Sequence, residues 1–259
     1  VKEYALTVGI PVYQPVKLRD GEALRLVEEL APELIVVAAY GRILPEDILN
    51  TPPYGSINVH SSILPKYRGA APINWAILNG DSVTGVTIMY MAKELDAGDV
   101  ILCRETAIDP DEDAQMLTAR LAALGADALA EAVERLHEGT AVRLPQDHSA
   151  YTYAPMLDRS LSPLDFSKSA RQLHDQVRGL IPWPCASMTL DGKNVKVYRT
   201  AVGGKTALAA GKIAEAGKQG LAIACGDGLL LRILELQAEG GKRMAAADYL
   251  RGHPVQVDA

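Results

Sequence analysis

Cysteine is scarce in this sequence, and the three present, Cys103, Cys185 and Cys225, are odd in number, far apart and mostly set among apolar residues. No Cys-x-x-Cys or Cys-His spacing links them. Plain buried thiols are therefore expected, and neither a disulfide framework nor a zinc site. The five histidines, at 60, 137, 148, 174 and 253, are equally scattered, which argues against a metal enzyme. No uncharged apolar run reaches the roughly 18 residues that a membrane-crossing helix requires. The opening Val1-Lys2-Glu3-Tyr4 has neither a secretory nor a transit pattern, so the expected compartment is the cytoplasm. Repeats and low-complexity segments are also lacking.

What is present is material for a core. The 259 residues are 48% apolar and 22% charged, enough for one large domain or two small ones. The net charge of −6 hides an asymmetry. Residues 1–158 hold 12 Lys and Arg against 23 Asp and Glu, a net −11, whereas residues 159–259 hold 14 against 9, a net +5. An acidic half joined to a basic half suggests that the second half meets a polyanion, the alternative being chance segregation of charge.

The first half alternates strand and helix signals. Leu34 to Ala39 is a short β-branched apolar run closed by Gly41, the pattern of a strand buried on both faces of a parallel sheet. Before it, Asp20 can cap a helix whose Leu24, Val27 and Leu30 recur at helical spacing. Gly55 to Val59 reads as a strand, followed by a Pro- and Gly-punctuated loop and a helix around Ile73 to Leu78. Thr84 to Met91 and Val100 to Ile108 then read as a hairpin around Asp96-Ala97-Gly98-Asp99, and Pro110 and Asp111 introduce a long Ala- and Leu-rich helix ending near Gly139. Such an α/β pattern holds its ligands at the strand C-termini.

Residues 140–158 lack periodicity and read as an extended linker over the surface. A helix from Ser169 to Leu180 follows, then short strands at Ala186 to Leu190, Val195 to Arg199, Gly211 to Ala214, Leu221 to Cys225 and Leu229 to Leu236. That spacing suggests a small open β-barrel, a shape often used to hold nucleic acids. The expected division is thus 1–139, linker 140–158, and 159–259. Trp183, between two prolines, is expected to anchor packing.

Asn58-Val59-His60 sets two polar side chains on one side of a predicted strand, at its C-terminal end. The loop Ser61 to Pro72 that follows combines prolines, a glycine and the cations Lys66 and Arg68, which are either solvated or close to substrate phosphates. The full string NVHSSILPKYRGAAPI, followed by GVTIMYMAKELDAGDVI, resembles the signature of the 10-formyltetrahydrofolate-dependent formyltransferases. The resemblance runs over the whole chain. It implies a Rossmann-like formyltransferase domain, N-terminally truncated, followed by a small open β-barrel of the OB-like kind.

By the resemblance, the catalytic trio is Asn58, His60 and Asp96, and the folate contacts are Gly41, Arg42, Ile43, Leu44, Ser61, Ser62, Leu64, Pro65, Glu94 and Leu95. Arg68 to Ile73 and the later Ile181-Pro182-Trp183-Pro184-Cys185-Ala186 are similar to the branch of the family that acts on methionyl-tRNA. What that implies is transfer of a formyl group from 10-formyltetrahydrofolate to initiator methionyl-tRNA in translation initiation, by a monomer with no metal and no membrane partner. Ser61 and Ile63 are mild departures from the family pattern. The larger departure is at the start, where the family's opening strand, a Gly-Thr-Pro segment and a basic loop are absent. A strand around Ile10 to Gln14 would then lack its neighbour.

The trio fits the chemistry. Attack of an amine on an N-formyl group develops an oxyanion, which requires a donor, and releases a proton. Asn58 can donate, and His60 can donate or shuttle the proton. Asp96 can orient the imidazole or accept the proton through water. Three rivals remain: a formyltransferase acting on an amino-sugar nucleotide, a formyl-folate hydrolase, and a truncated nucleic-acid-binding module without turnover.

Overall fold

The computed structural model describes residues 1–258. Helix α1 (Lys2–Thr7) buries no side chain. Ile10 to Gln14, expected as a strand, form none. Pro11 lies within that segment and Pro15 directly follows it, and neither can donate to a ladder. Helix α2 (Glu22–Leu30) starts two residues after the expected cap, its N-cap being Gly21, with Asp20 accepting from the Glu22 N–H.

Strands β1 (Ile35–Ala38) and β2 (Ser56–His60) run parallel on either side of α3 (Glu46–Leu49) in the chain. After the short β3 (Arg68–Gly69) and α4 (Pro72–Leu78) comes the antiparallel pair β4 (Val83–Tyr90) and β5 (Val100–Ala107). The sheet order is β1-β2-β4-β5. β1 is not buried on both faces as its composition suggests. It lies at the sheet edge, where Val37 is buried but Val36 stays 42% exposed.

Helix α5 (Ala114–His137), capped by Asp113, covers one face of this sheet. Its Leu117, Leu121, Ala128, Ala132 and Leu136 repeat at helical spacing and are buried with Ile57, Val86 and Ile88. Each fully buried leucine contributes about 1.5–3 kcal/mol. This packing also orients β2. Ile57 and partly buried Val59 belong to the cluster, so Asn58 and His60 must face the other way.

The segment 140–158, expected to cross the surface, is partly built into the fold. Leu144 bridges to Val100, Gln146 and Ala154 are buried, and β6 (Tyr153–Ala154) pairs with β3. Lack of periodicity concealed this, because two-residue strands and single buried side chains leave no repeating pattern.

Helix α6 (Ala170–Gly179) begins with a reciprocal Ser169–Gln172 capping box. It packs on an open antiparallel sheet of β7 (Ala186–Leu190), β8 (Lys193–Lys205), β9 (Ile213–Gly217), β10 (Gly220–Ala224), β11 (Leu229–Ala238) and β12 (Met244–Ala245). The path is β7-β8-β11-β10-β9, with β12 on β11 and α7 (Ala246–Gly252) against β9, β10 and β11. Register shifts between β8 and β11 increase the local twist.

The two parts meet through α4 and α6. Asn74 donates to the Gly179 carbonyl, and Arg178, paired with buried Asp175, donates to the carbonyl of Glu112. His174 bridges the Pro110 carbonyl and the Thr200 hydroxyl. Trp183 is not a packing anchor: it is 51% exposed, while its neighbours Ile181 and Cys185 are buried in its place. Burial raises the Cys103 thiol, and pushes Cys225 up to about 11, so these sulfurs are poor nucleophiles near neutrality. Among the described residues no cluster of three or more His, Cys, Asp or Glu side chains could hold a metal ion, and no helix is long and apolar enough to cross a membrane.

Candidate active site

At the end of β2, His60 is 5% exposed and held on both sides. Its Nε2 lies 2.9 Å from the Tyr67 carbonyl oxygen, and its Nδ1 3.6 Å from Asp96 Oδ2. A carbonyl can only accept, so Nε2 carries the hydrogen. In the neutral ring, Nδ1 therefore presents a lone pair on the Asp96 side, ready to take a proton. Once protonated, it forms an ion pair with that carboxylate.

The carbonyl that fixes the imidazole is itself fixed. Tyr67 has φ +62, its hydroxyl donates to Asp81 and accepts from Asn79, and its N–H donates to the Thr152 hydroxyl. Burial pushes the Tyr67 hydroxyl up to about 12, so it stays protonated as that donor.

Asp96 sits in the β4–β5 loop with φ +49, a left-handed conformation that aspartate tolerates better than most residues. Its Oδ2 accepts from the Gly69 N–H at 2.8 Å. Two glycines make this approach possible. A Cβ on Gly69, at φ +120, would lie 2.7 Å from the Ala154 carbonyl oxygen, and one on Gly98 would lie 1.9 Å from that of Tyr90. Asn58 is half-buried on the same side of β2 as His60, and no side-chain hydrogen bond ties its amide to another described residue. That amide is free to donate to a ligand.

The structure thus brings Asn58, His60 and Asp96 to one place. It distributes the other expected residues more widely. Glu94 and Leu95 line a cleft of about 390 Å³ with Arg68, His148, Tyr151 and Tyr153. Arg42 and Ile43 line a second, of about 530 Å³, against residues 16–20, where Arg42 donates to the Val16 carbonyl. Gly41, at φ +70, and half-buried Leu44 flank them. An exposed Lys93–Glu46 pair at 3.8 Å brings the loop after β4 close to α3, just beyond this turn. Ser61 is half-buried, whereas Ser62 is fully buried, its hydroxyl donating to the Lys66 carbonyl. Leu64 and Pro65 line a third cleft, of about 360 Å³, with Lys66 and Asp81 rather than with Glu94.

Gln146 is a site residue that sequence reasoning missed. Only 7% exposed, it accepts from Arg68 Nε and Nη2 at 3.1 and 2.6 Å, and donates to the carbonyls of Asp96 and Gly98 at 2.9 and 2.8 Å. One amide thus ties the linker, the Arg68 loop and the Asp96 loop together. Gln146→Leu should orphan two carbonyls and part of a buried guanidinium. The expected cost is about 1–3 kcal/mol per orphaned group, with a fall in turnover through displacement of Asp96. Chemical denaturation and turnover together check this, and unchanged values in both would refute the clamp.

Comparison with known proteins supplies the family. The chain matches the formyl transferase profile over residues 2–133 and the formyl transferase C-terminal domain profile over residues 157–254. It is 48% identical over 259 residues to a methionyl-tRNA formyltransferase of Geotalea daltonii, covering 100% of this chain and 82% of that relative. A protein of the same name from Clostridioides difficile is 46% identical over 258 residues, covering 99% and 83%. Among solved structures, HypX from Aquifex aeolicus in complex with tetrahydrofolic acid superposes with a TM-score of 0.67 at 20% identity, over 91% of this chain and 42% of that one. An N-formyltransferase from Helicobacter canadensis, in complex with folinic acid and dTDP-3-aminofucose, gives 0.69 at 20% identity, over 89% and 81%. At that identity the structures speak for the fold alone, but with the two profiles and the sequence relatives the conclusion is plain: the chain belongs to the formyl transferase family.

Proposed function

We propose that the protein transfers the formyl group of 10-formyltetrahydrofolate to the amino group of methionyl-tRNA. The single observation that carries this reading is the His60–Asp96 pair beside the free Asn58 amide, in a chain 46–48% identical to methionyl-tRNA formyltransferases over nearly its whole length. As the amine attacks the formyl carbon, Asn58 donates to the oxygen that becomes an oxyanion. His60 takes the amine's proton at Nδ1, Asp96 stabilises the resulting imidazolium, and His60 returns that proton to the folate nitrogen as the tetrahedral species collapses, the bond from the formyl carbon to that nitrogen breaks and tetrahydrofolate leaves. The folate co-substrate lies along the turn Gly41 to Leu44 and the loop Glu94 to Asp96. Exposed Ile43 and Leu95 offer apolar surface there, beside backbone polar groups, which suits a flat ring with polar edges.

Residues 1–139 carry the chemistry in this reading, residues 140–158 link the two parts, and residues 159–259 contact the tRNA backbone. The protein acts in the cytoplasm as a monomer. A formyl-transfer assay offering Met-tRNA, a dTDP-linked amino sugar or water alone as acceptor tests the function. Product on Met-tRNA supports it. Formyl transfer to the sugar, or release of formate at the same rate without acceptor, would replace it with one of the rivals.

Because the second part carries +5 against −11 in the first, tRNA affinity should fall steeply with added salt. Filter binding across a salt series measures the slope. A version ending at Asp158 that folds and binds tRNA as tightly as the whole protein would refute the assignment of the C-terminal part.

A further inference from the structure

The tautomer of His60 depends on a carbonyl that belongs to a residue in an unfavourable conformation. Tyr67 is buried, and its φ of +62 is a left-handed value that costs a bulky aromatic residue free energy. Such a backbone persists only where its surroundings over-determine it. The peptide group between Tyr67 and Arg68 is bonded at both ends: its oxygen accepts from His60 Nε2 at 2.9 Å, and its N–H donates to the Thr152 carbonyl at 2.9 Å. The Tyr67 N–H donates to the Thr152 hydroxyl at 2.8 Å. Apart from His60 itself, these bonds hold the backbone from the side of the linker alone.

The side chain supplies a second support, from another direction. The Tyr67 hydroxyl donates to Asp81 Oδ2 at 2.7 Å and accepts from Asn79 Nδ2 at 3.1 Å, and a hydrogen bond to a carboxylate is roughly twice as strong as a neutral one. Asn79 and Asp81 stand in the turn that joins α4 to β4. That turn is itself fixed: the Gly80 and Asp81 N–H groups donate to the carbonyls of Ile77 and Ala76. It also lies against α6, since a Cβ on Gly80, at φ +75, would come within 3.3 Å of the Asp175 carboxylate, and one on Gly179 within 3.0 Å of Leu78. The hydroxyl is thus tied to a platform built by the packing of α4 on α6.

We infer that Tyr67 and Asp81 are positioning residues for the reaction: the bond from the hydroxyl to the carboxylate holds the Tyr67 carbonyl on His60 Nε2, and so keeps the lone pair of Nδ1 free to take the amine's proton. Without that bond Tyr67 relaxes toward negative φ, and its carbonyl leaves Nε2. His60 is almost fully buried, and a buried N–H without a partner is costly, so the hydrogen moves to Nδ1, which faces the Asp96 carboxylate at 3.6 Å. Nδ1 then has no lone pair for the amine. This rests on the proposed reaction and adds to it two residues that act through His60.

Two readouts on the whole protein test this in Tyr67→Phe, Asp81→Ala and Asp81→Asn. Steady-state kinetics, with donor and Met-tRNA varied independently, should show kcat lower by about tenfold to a hundredfold in Tyr67→Phe and Asp81→Ala, a part of what a positioned base contributes, with both KM values unchanged. Asp81→Asn keeps an oxygen that accepts from the hydroxyl and should recover most of the rate. Long-range proton–nitrogen NMR of the imidazole, assigned by the signal missing from His60→Gln, should place the hydrogen on Nε2 in the unaltered protein and in Asp81→Asn, and on Nδ1 in the other two. Asp81 is only half-buried, so Asp81→Ala serves even if Tyr67→Phe does not fold. Folded variants with the hydrogen still on Nε2, whatever their kcat, would overturn the proposal and leave the Thr152 bonds as sufficient support. A raised KM for either substrate with unchanged kcat would overturn it in favour of a substrate contact in the 360 Å³ cleft that Tyr67 and Asp81 line. Failure of the unaltered protein to formylate Met-tRNA would instead refute the reaction itself. The tautomer is read without turnover, so the two failures are distinguishable.

Discussion

Asp96→Asn should lower formyl transfer by roughly two to four powers of ten, with folate binding and melting temperature nearly unchanged. The substitution is close to isosteric, and asparagine tolerates the left-handed φ of +49 at this position. Its amide oxygen can still accept from the Gly69 N–H, so the loop keeps its bond to β3. What disappears is the negative charge 3.6 Å from His60 Nδ1. That charge is needed only when the imidazole is protonated, so the loss should fall on kcat rather than on the affinity for either substrate. If Asp96 did no more than shape the turn before Gly98, the variant would work almost normally. Turnover and melting curves separate the two cases, and near-normal turnover would sink the catalytic role.

Asn58→Ala is expected to cost roughly two to three powers of ten in kcat, by removing one donor to the developing oxyanion. Here too the fold should survive. The side chain is half-buried and bonds no other described residue, so truncation orphans nothing, and Ile57 and Val59 continue to pack on α5. Asn58→Asp keeps the size but replaces a donor with a negative charge beside the oxyanion, and should be at least as damaging. A variant of either kind with ordinary kcat and a raised KM for folate would move Asn58 from the chemistry to co-substrate binding.

Sequence periodicity alone determined much of the framework. The α5 face, the alternation Ile57-Asn58-Val59-His60 and the β4–β5 hairpin are local patterns with periods of about 3.6 or 2, and each is present near its expected bounds. The motif residues Asn58, His60 and Asp96 were recognisable for a different reason: the strings that contain them resemble the family signature, whereas position at a strand end or in a tight loop would not by itself have singled them out. Exposure of Val36 and Trp183 was not legible, because an apolar residue carries no mark of which neighbours will reach it.

The linker shows the limit most clearly. Gln146, Tyr151 and Tyr153 lie in a stretch without periodicity, and their partners are Arg68, Gly69 and the carbonyls of Asp96 and Gly98, about 50 to 85 residues earlier in the chain. Nothing local encodes such contacts. The tautomer of His60 was open for the same reason, since it depends on the carbonyl of Tyr67, whose own position is set by Asp81 and Thr152. The sequence by itself determined which side chains could do the chemistry. Only the tertiary structure decided which nitrogen of His60 faces Asp96, and that the segment between the two parts builds a wall of the site, because both follow from close approach of distant backbone.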